Sequence, residues 1–146
     1  MSKYLGIDFG IKRVGIAISD AGLSISFPRD YMYNDNNLLK KLSALVREEE
    51  VSKIVIGMPV SMSGESSEQT EITKTFSGKL RKFLELEGNN AEIDFIDERL
   101  TSRMAGAEII RTVAKKSKRR EKGLVDEMSA QIILQNYLDR EKNLRT

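Results

Sequence analysis

The sequence predicts an α/β fold in which a mixed sheet carries helices on its faces. Two observations predict it. Three strand-like segments follow one another at the start of the chain, with turn chemistry between them, so they pair as antiparallel neighbours. After them, helical and strand-like segments alternate, which is the signature of parallel strands joined by helices. With the two later strands the sheet has five.

The first strand covers residues 4–9 and the second 14–19, joined by the tight turn Gly10-Ile11-Lys12-Arg13. The second alternates Val14, Ile16 and Ile18 with Gly15, Ala17 and Ser19, a period of two that assigns the two sets to opposite faces. A third, irregular strand covers 24–33, where Pro28 demands an edge position or a bulge. Asn34-Asp35-Asn36-Asn37 is turn and helix-cap chemistry. Leu38, Leu39, Leu42, Leu45 and Val46 then recur at helical spacing, and Glu48-Glu49-Glu50 closes the exposed end. The short apolar run 51–57 fits a buried parallel strand. Residues 58–67, with a proline, a glycine and four serines, read as a mobile loop. That loop leaves the end of an inner strand, the usual place for a ligand in an open α/β sheet.

A helix covers 68–86, with Ile72, Phe76, Leu80, Phe83 and Leu84 as its buried stripe and Gly88-Asn89-Asn90 as its stop. The fifth strand, 92–98, ends on Asp97-Glu98-Arg99, and strand alternation sends Asp97 and Glu98 to opposite faces. A helix from about Thr101 has a weaker apolar face, with Met104, Ala107 and Ile109 or Ile110. The segment 115–123 reads as a basic loop, and a last helix covers 125–140. On that helix Asp126, Ser129, Ala130, Ile133 and Tyr137 share one side, and its small residues allow a close approach to the sheet. The organisation expected is one domain over 1–140 and a short frayed tail over 141–146.

Composition excludes several chemistries. The 146 residues include no histidine and no cysteine. Ser-His-Asp and Cys-His catalysis, thiolate or imidazole zinc sites and disulfides are therefore impossible. Carboxylates, lysines, hydroxyls, backbone groups and an oxygen-bound hard metal remain. No apolar run approaches the ~18 residues that span a bilayer, and the N-terminus has no signal-peptide pattern, so a cytoplasmic protein without a membrane partner is expected.

Net charge is +2 but unevenly spread. Residues 101–122 hold eight cations, Arg103, Arg111, Lys115, Lys116, Lys118, Arg119, Arg120 and Lys122, against Glu108 and Glu121. That segment balances to +6 and leaves −4 for the rest, so a polyanion partner is expected; a solvated helix end is the structural alternative.

Three acids stand out by position: Asp8 near the end of the first strand, Glu98 at the end of the fifth, and Asp126 in the first turn of the last helix. Each has a plain alternative, since Asp126 suits a helix N-terminus and Glu98 can pair with Arg99. Asp8 is hardest to explain away, because a carboxylate in an apolar strand needs a cation or a set of donors. If the three converge, their repulsion calls for a divalent cation, and Mg²⁺ or Mn²⁺ takes such ligands. One or two such ions can position a water and stabilise a phosphodiester under attack. Lys12, Arg13 and the basic loop would then contact phosphates.

Four stretches, GIDFGIKRVGIAISD at 6–20, IGMPVSMSG at 56–64, DERLTS at 97–102 and VDEMSAQIILQNYL at 125–138, resemble in order and spacing the YqgF family of RuvC-like nucleases. The resemblance implies an RNase H-like fold, a five-stranded sheet with helices on both faces. It implies Asp8, Glu98 and Asp126 as catalytic and metal-binding acids with Mg²⁺ or Mn²⁺. Lys12, Arg13, Arg99, Lys115, Lys116, Lys118, Arg119, Arg120 and Lys122 are the candidate nucleic-acid contacts. Ile11 stands where the family commonly has a threonine, Glu127 where a small residue is usual, and Ser129 where classical RuvC resolvases carry a further aspartate. This smaller ligand set favours maturation of the 5′ end of pre-16S ribosomal RNA, with structured RNA and pre-ribosomal particles as partners. Holliday-junction resolution on branched DNA is the alternative within the family. A non-catalytic nucleic-acid-binding assembly factor is a second class. An actin-like nucleotide-binding hairpin is a third, disfavoured because ATP closure there needs two such domains.

Overall fold

A computed structural model describes residues 2–59 and 67–97 and the helical stretch 122–145, with the side chains of that last helix described over 128–144. Five strands are seen, β1 (Lys3–Phe9), β2 (Arg13–Ser19), β3 (Ser26–Tyr33), β4 (Val51–Met58) and β5 (Glu92–Asp97). The described helices are α1 (Leu38–Glu48), α2 (Glu68–Leu86) and α3 (Lys122–Arg145). The sheet order is β3-β2-β1-β4-β5, with β1–β2 and β2–β3 antiparallel and β1–β4 and β4–β5 parallel. The mixed five-stranded sheet and its three leading antiparallel strands are as the sequence predicts.

Alternation in β1 and β2 builds two cores. Leu5, Ile7, Phe9, Val14, Ile16 and Ile18 face α1 and α2 with Leu42, Val46, Phe76, Leu80 and Leu84. Ala17, Val55 and Ile96 face the other way, against Ala130, Ile133, Leu134, Tyr137 and Leu138 of α3. Helices therefore cover both faces. Pro28 lies on the edge strand opposite Ala17, where its missing N–H removes no ladder bond, and a register irregularity follows between Val14 and Ile16.

The helix ends follow local chemistry. Asn37 is the N-cap of α1 but makes no side-chain cap; instead the Asp35 carboxylate accepts the Asn37 backbone N–H at 2.9 Å. At α2 Ser67 and Thr70 form a reciprocal capping box, and the Thr70 hydroxyl also donates to the Pro59 carbonyl. Gly88, at φ +73°, ends that helix as expected. On its buried face stand Thr70, Thr73, Phe76, Leu80 and Leu84, whereas Ile72 and Phe83 are only half-buried. Glu49 does more than close an exposed end: it pairs with Lys3 at 2.8 Å and Arg29 at 3.2 Å.

The last helix departs most from expectation. It starts at Lys122, so Lys122 and Gly123 belong to helix rather than loop, and it continues through Arg145 over residues expected to fray. Glu141 in that extension pairs with Lys53 of β4 at 3.2 Å, which ties the added turn to the sheet. Among the described residues no helix is long and apolar enough to cross a membrane. The loop 60–66, the helix expected near 101 and the basic loop up to residue 121 lie outside the described residues.

Candidate active site

Asp8 is the second-last residue of β1, the central strand, and is half-buried. Its neighbours in the strand, Ile7 and Phe9, point into the α1–α2 core, so Asp8 faces the side covered by α3. Its cross-strand partner on β2 is Gly15. On β4 the register Ile7–Ile56 continues to Gly57 at the level of Asp8. The carboxylate is thus bracketed by two residues without side chains. These two glycines are site features that the reading of the acids missed. Glycine inside a strand is the signal that could have found them.

The register of α3 brings its first turns to the same level. Tyr137 meets Tyr4 edge-to-face with ring centroids 6.0 Å apart. Two residues further along β1, a Cβ on Gly6 would lie 2.7 Å from Leu134 Cβ and 3.1 Å from the Ala130 carbonyl. The helix runs antiparallel to β1, and glycine at position 6 permits their contact. Two more strand residues, ~6.6 Å, reach Asp8, and the same distance is about four residues of helix. Four residues back from the middle of the Ala130–Leu134 contact is about residue 128, within a turn of Asp126, whose backbone lies in α3.

A polar cluster fixes this register. Tyr137, 2% exposed, donates to Asp94 Oδ2 at 2.6 Å and accepts from Lys53 Nζ at 3.0 Å. Burial and then the Asp94 hydrogen bond push the Tyr137 phenol up to about 12. Burial opposes the charge on Asp94, but the Tyr137 and Phe95 hydrogen bonds and the Lys53 charge outweigh it and hold that carboxyl below its ordinary value. Burial also opposes the Lys53 charge, yet its hydrogen bonds to Tyr137 and Glu141 raise it overall. At the other edge Ser26 donates from its backbone N–H to Gln135 at 2.9 Å and from its hydroxyl to the Gln131 carbonyl at 2.7 Å.

Lys12 is exposed in the β1–β2 turn and Arg13 is half-buried at the start of β2. The turn is tight enough that a Cβ on Gly10 would lie 2.4 Å from the Arg13 carbonyl. Arg13, Gly15 and Ala17 share a face, so Arg13 is on the Asp8 side of the sheet. Asp97 closes β5 opposite Met58, with the parity opposite to Ile96. Glu98, Arg99, Lys115, Lys116, Lys118, Arg119 and Arg120 lie outside the described residues, as do the side chains of Lys122 and Asp126. Among the described residues no group of three carboxylates could hold a metal ion. Asp8 is the expected acid whose side chain is described.

Comparison with known proteins decides the family. The profile described as "RuvX: Holliday junction resolvase" matches residues 2–140. The chain belongs to the RuvX family. A protein of Sulfurihydrogenibium sp. named "Putative pre-16S rRNA nuclease" is 40% identical over 140 residues, covering 96% of this chain and 92% of its own length. One of that name from Porphyromonas gingivalis is 40% identical over 139 residues, covering 95% and 97%. Among solved structures, Thermus thermophilus RuvC bound to a Holliday junction superposes with a TM-score of 0.63 at 11% identity, covering 98% of this chain and 97% of that one. The fowlpox virus resolvase with its junction DNA gives 0.54 at 12%, covering 95% and 98%. Those likenesses establish the RNase H-like fold. RuvX is a nuclease family, so this member is an enzyme acting on phosphodiester bonds, the reaction class expected from the sequence. Divalent metal use is general among such nucleases.

Proposed function

We propose that this RuvX protein hydrolyses a phosphodiester bond at the Asp8 end of the sheet, with Asp8, Glu98 and Asp126 as the ligands of Mg²⁺ or Mn²⁺. The supporting observation is the glycine-bracketed position of Asp8 on the face of the central strand that α3 covers, with the N-terminal turns of α3 running toward that end of the strand. In the sequence Glu98 directly follows Asp97, the last residue of β5. Three carboxylates are a hard-oxygen set suited to either ion. When bound, the ion supplies charge neutralisation on the phosphate and lowers the pKa of water. The chain's own part is to hold those oxygens, to seat the backbone with Lys12 and Arg13, and to bring the cationic residues 115–122 to the phosphates.

The substrate we propose is the 5′ end of a pre-16S ribosomal RNA within a pre-ribosomal particle, the activity in the names of relatives that match nearly the whole chain. A four-way DNA junction is the second reading, favoured by the family description. Both are tested together with Mn²⁺, a labelled precursor RNA end, a labelled four-way junction and the Asp8→Asn variant. Wild-type protein is expected to cut the RNA. The variant should lose at least about 10³-fold in rate while still folding and binding nucleic acid. Unchanged cleavage by the purified variant would refute the catalytic assignment.

A further inference from the structure

The paired stretch of β1 and β4 ends at Ile7 and Ile56, so among the described residues Asp8 and Phe9 continue with β2 alone as ladder partner. Beyond that point side chains take over from β4. The side-chain amide of Gln69, in the first turn of α2, donates to the Phe9 carbonyl at 3.3 Å. One residue further along, the Asn34 side chain donates to the Gly10 carbonyl at 3.0 Å. Thr70, next to Gln69, donates from its hydroxyl to the carbonyl of Pro59, just past the end of β4. The same helix holds Phe9 a second time: the rings of Phe9 and Phe76 stack with centroids 4.2 Å apart at 17°. Gln69 and Phe76 stand about two turns apart on one face of α2. The turn that carries Gln69 is itself fixed, since the Gln69 carbonyl accepts the hydroxyl of buried Thr73 at 2.8 Å.

We propose that Gln69 is a positioning residue for the nuclease reaction: by holding the Phe9 carbonyl it fixes the end of β1, and with it the direction of the Asp8 carboxylate. This deepens the nuclease reading and rests on its assignment of Asp8. Phe9 points into the α1–α2 core and Asp8 to the opposite face, so Gln69 acts through the strand and not on the substrate. A neutral hydrogen bond at 3.3 Å adds little to stability. Placement matters far more to a reacting group, where a shift of about 1 Å costs on the order of a hundredfold in rate. A strand end paired on one side only is free to swing, and Gln69 restrains it where β4 no longer does. Its amide is also uncharged, so it holds the carbonyl without drawing the Asp8 carboxylate away from a cation.

The test compares the full chain as wild type, Gln69→Met, Ser67→Ala and Asp8→Asn. Each is melted across a Mn²⁺ titration without nucleic acid, and each is assayed on whichever labelled substrate the wild type cuts. Methionine keeps the reach of glutamine and has no N–H to donate. Ser67→Ala removes the side-chain cap of the same helix and leaves the Gln69 contact in place. Gln69→Met should lower kcat at least about tenfold while KM stays within about twofold of wild type. The Mn²⁺ concentration needed for a given rise in melting temperature should increase at least about threefold. Ser67→Ala should lower the metal-free melting temperature at least as far as Gln69→Met does, with kcat and the Mn²⁺ response close to wild type. A Gln69→Met protein that keeps both the kcat and the Mn²⁺ response of wild type overturns the positioning role. So does a Ser67→Ala protein that matches its losses, since helix stability would then account for them. Asp8→Asn separates the two readings. If it cuts normally, the catalytic assignment falls and the positioning role falls with it. If it is inactive while Gln69→Met behaves like wild type, the positioning role alone falls.

Discussion

At the scale of single residues, the site depends on what glycine omits. Asp8 has Gly15 on one side and Gly57 at its level on the other, and Gly6 lets α3 lie against the strand two residues away. The Gly6 contact makes a sharp prediction. A methyl there would meet Leu134 Cβ at 2.7 Å and the Ala130 carbonyl at 3.1 Å, and neither atom is the free end of a flexible side chain. Gly6→Ala should therefore force α3 outward and destabilise the protein by about 1–3 kcal/mol, read from the urea midpoint. Because the same helix carries Asp126, cleavage should fall by more than the folded fraction does. If the midpoint is unchanged, the packing of α3 on β1 is looser than these distances state.

At the scale of elements, α3 is held by an apolar core and by a polar cluster whose share is conditional on pH. The folded-state carboxyl of Asp94 is depressed, so its contribution is complete above the unfolded carboxylate range and is lost as pH falls through the folded value. Tyr137 and Lys53 are raised, so theirs is complete below their unfolded values and is lost as pH rises, from about 10 through about 12 for the phenol. Stability should therefore be flat between about pH 5 and 9 and fall on either side. Tyr137→Phe removes the donor to Asp94 and the acceptor for Lys53. It should cost about 1–3 kcal/mol at pH 7 and flatten both limbs, as measured by denaturation at stepped pH. This cluster was not legible in the sequence, because Lys53, Asp94 and Tyr137 are far apart in the chain and meet only through the register. The strands were legible, because Pro28 marked an edge and alternation in 14–19 named both faces. The bounds of α2 were equally plain, with Gly88 after its end. The ends of α3 were not: it opens on Lys122-Gly123 and closes on Glu141-Lys142-Asn143-Leu144-Arg145, which read as loop and tail.

At the scale of the whole molecule, the proposed site draws on acids far apart in sequence, Asp8 on β1, Asp126 on the helix α3 and Glu98 between them in the chain. The fold supplies the position of Asp8, while the sequence supplied the candidate list through the absence of histidine and cysteine and through the matched motifs. Collecting carboxylates at one place works against folding until a cation arrives, since like charges held close repel. That opposition has a measurable sign. Removing one charge with Asp8→Asn should leave the metal-free melting temperature equal to or above that of wild type, against the usual direction for a substitution in a central strand. Mn²⁺ should raise the wild-type melting temperature through linkage, by about 2.7 kcal/mol of stability at a hundred times its Kd, and should raise that of the variant much less. Ca²⁺ and Mg²⁺ run alongside rank the ions by the size of the shift, independently of any cleavage. A variant that melts lower than wild type without metal, and gains as much from Mn²⁺, would mean that Asp8 holds the fold together and does not hold the ion.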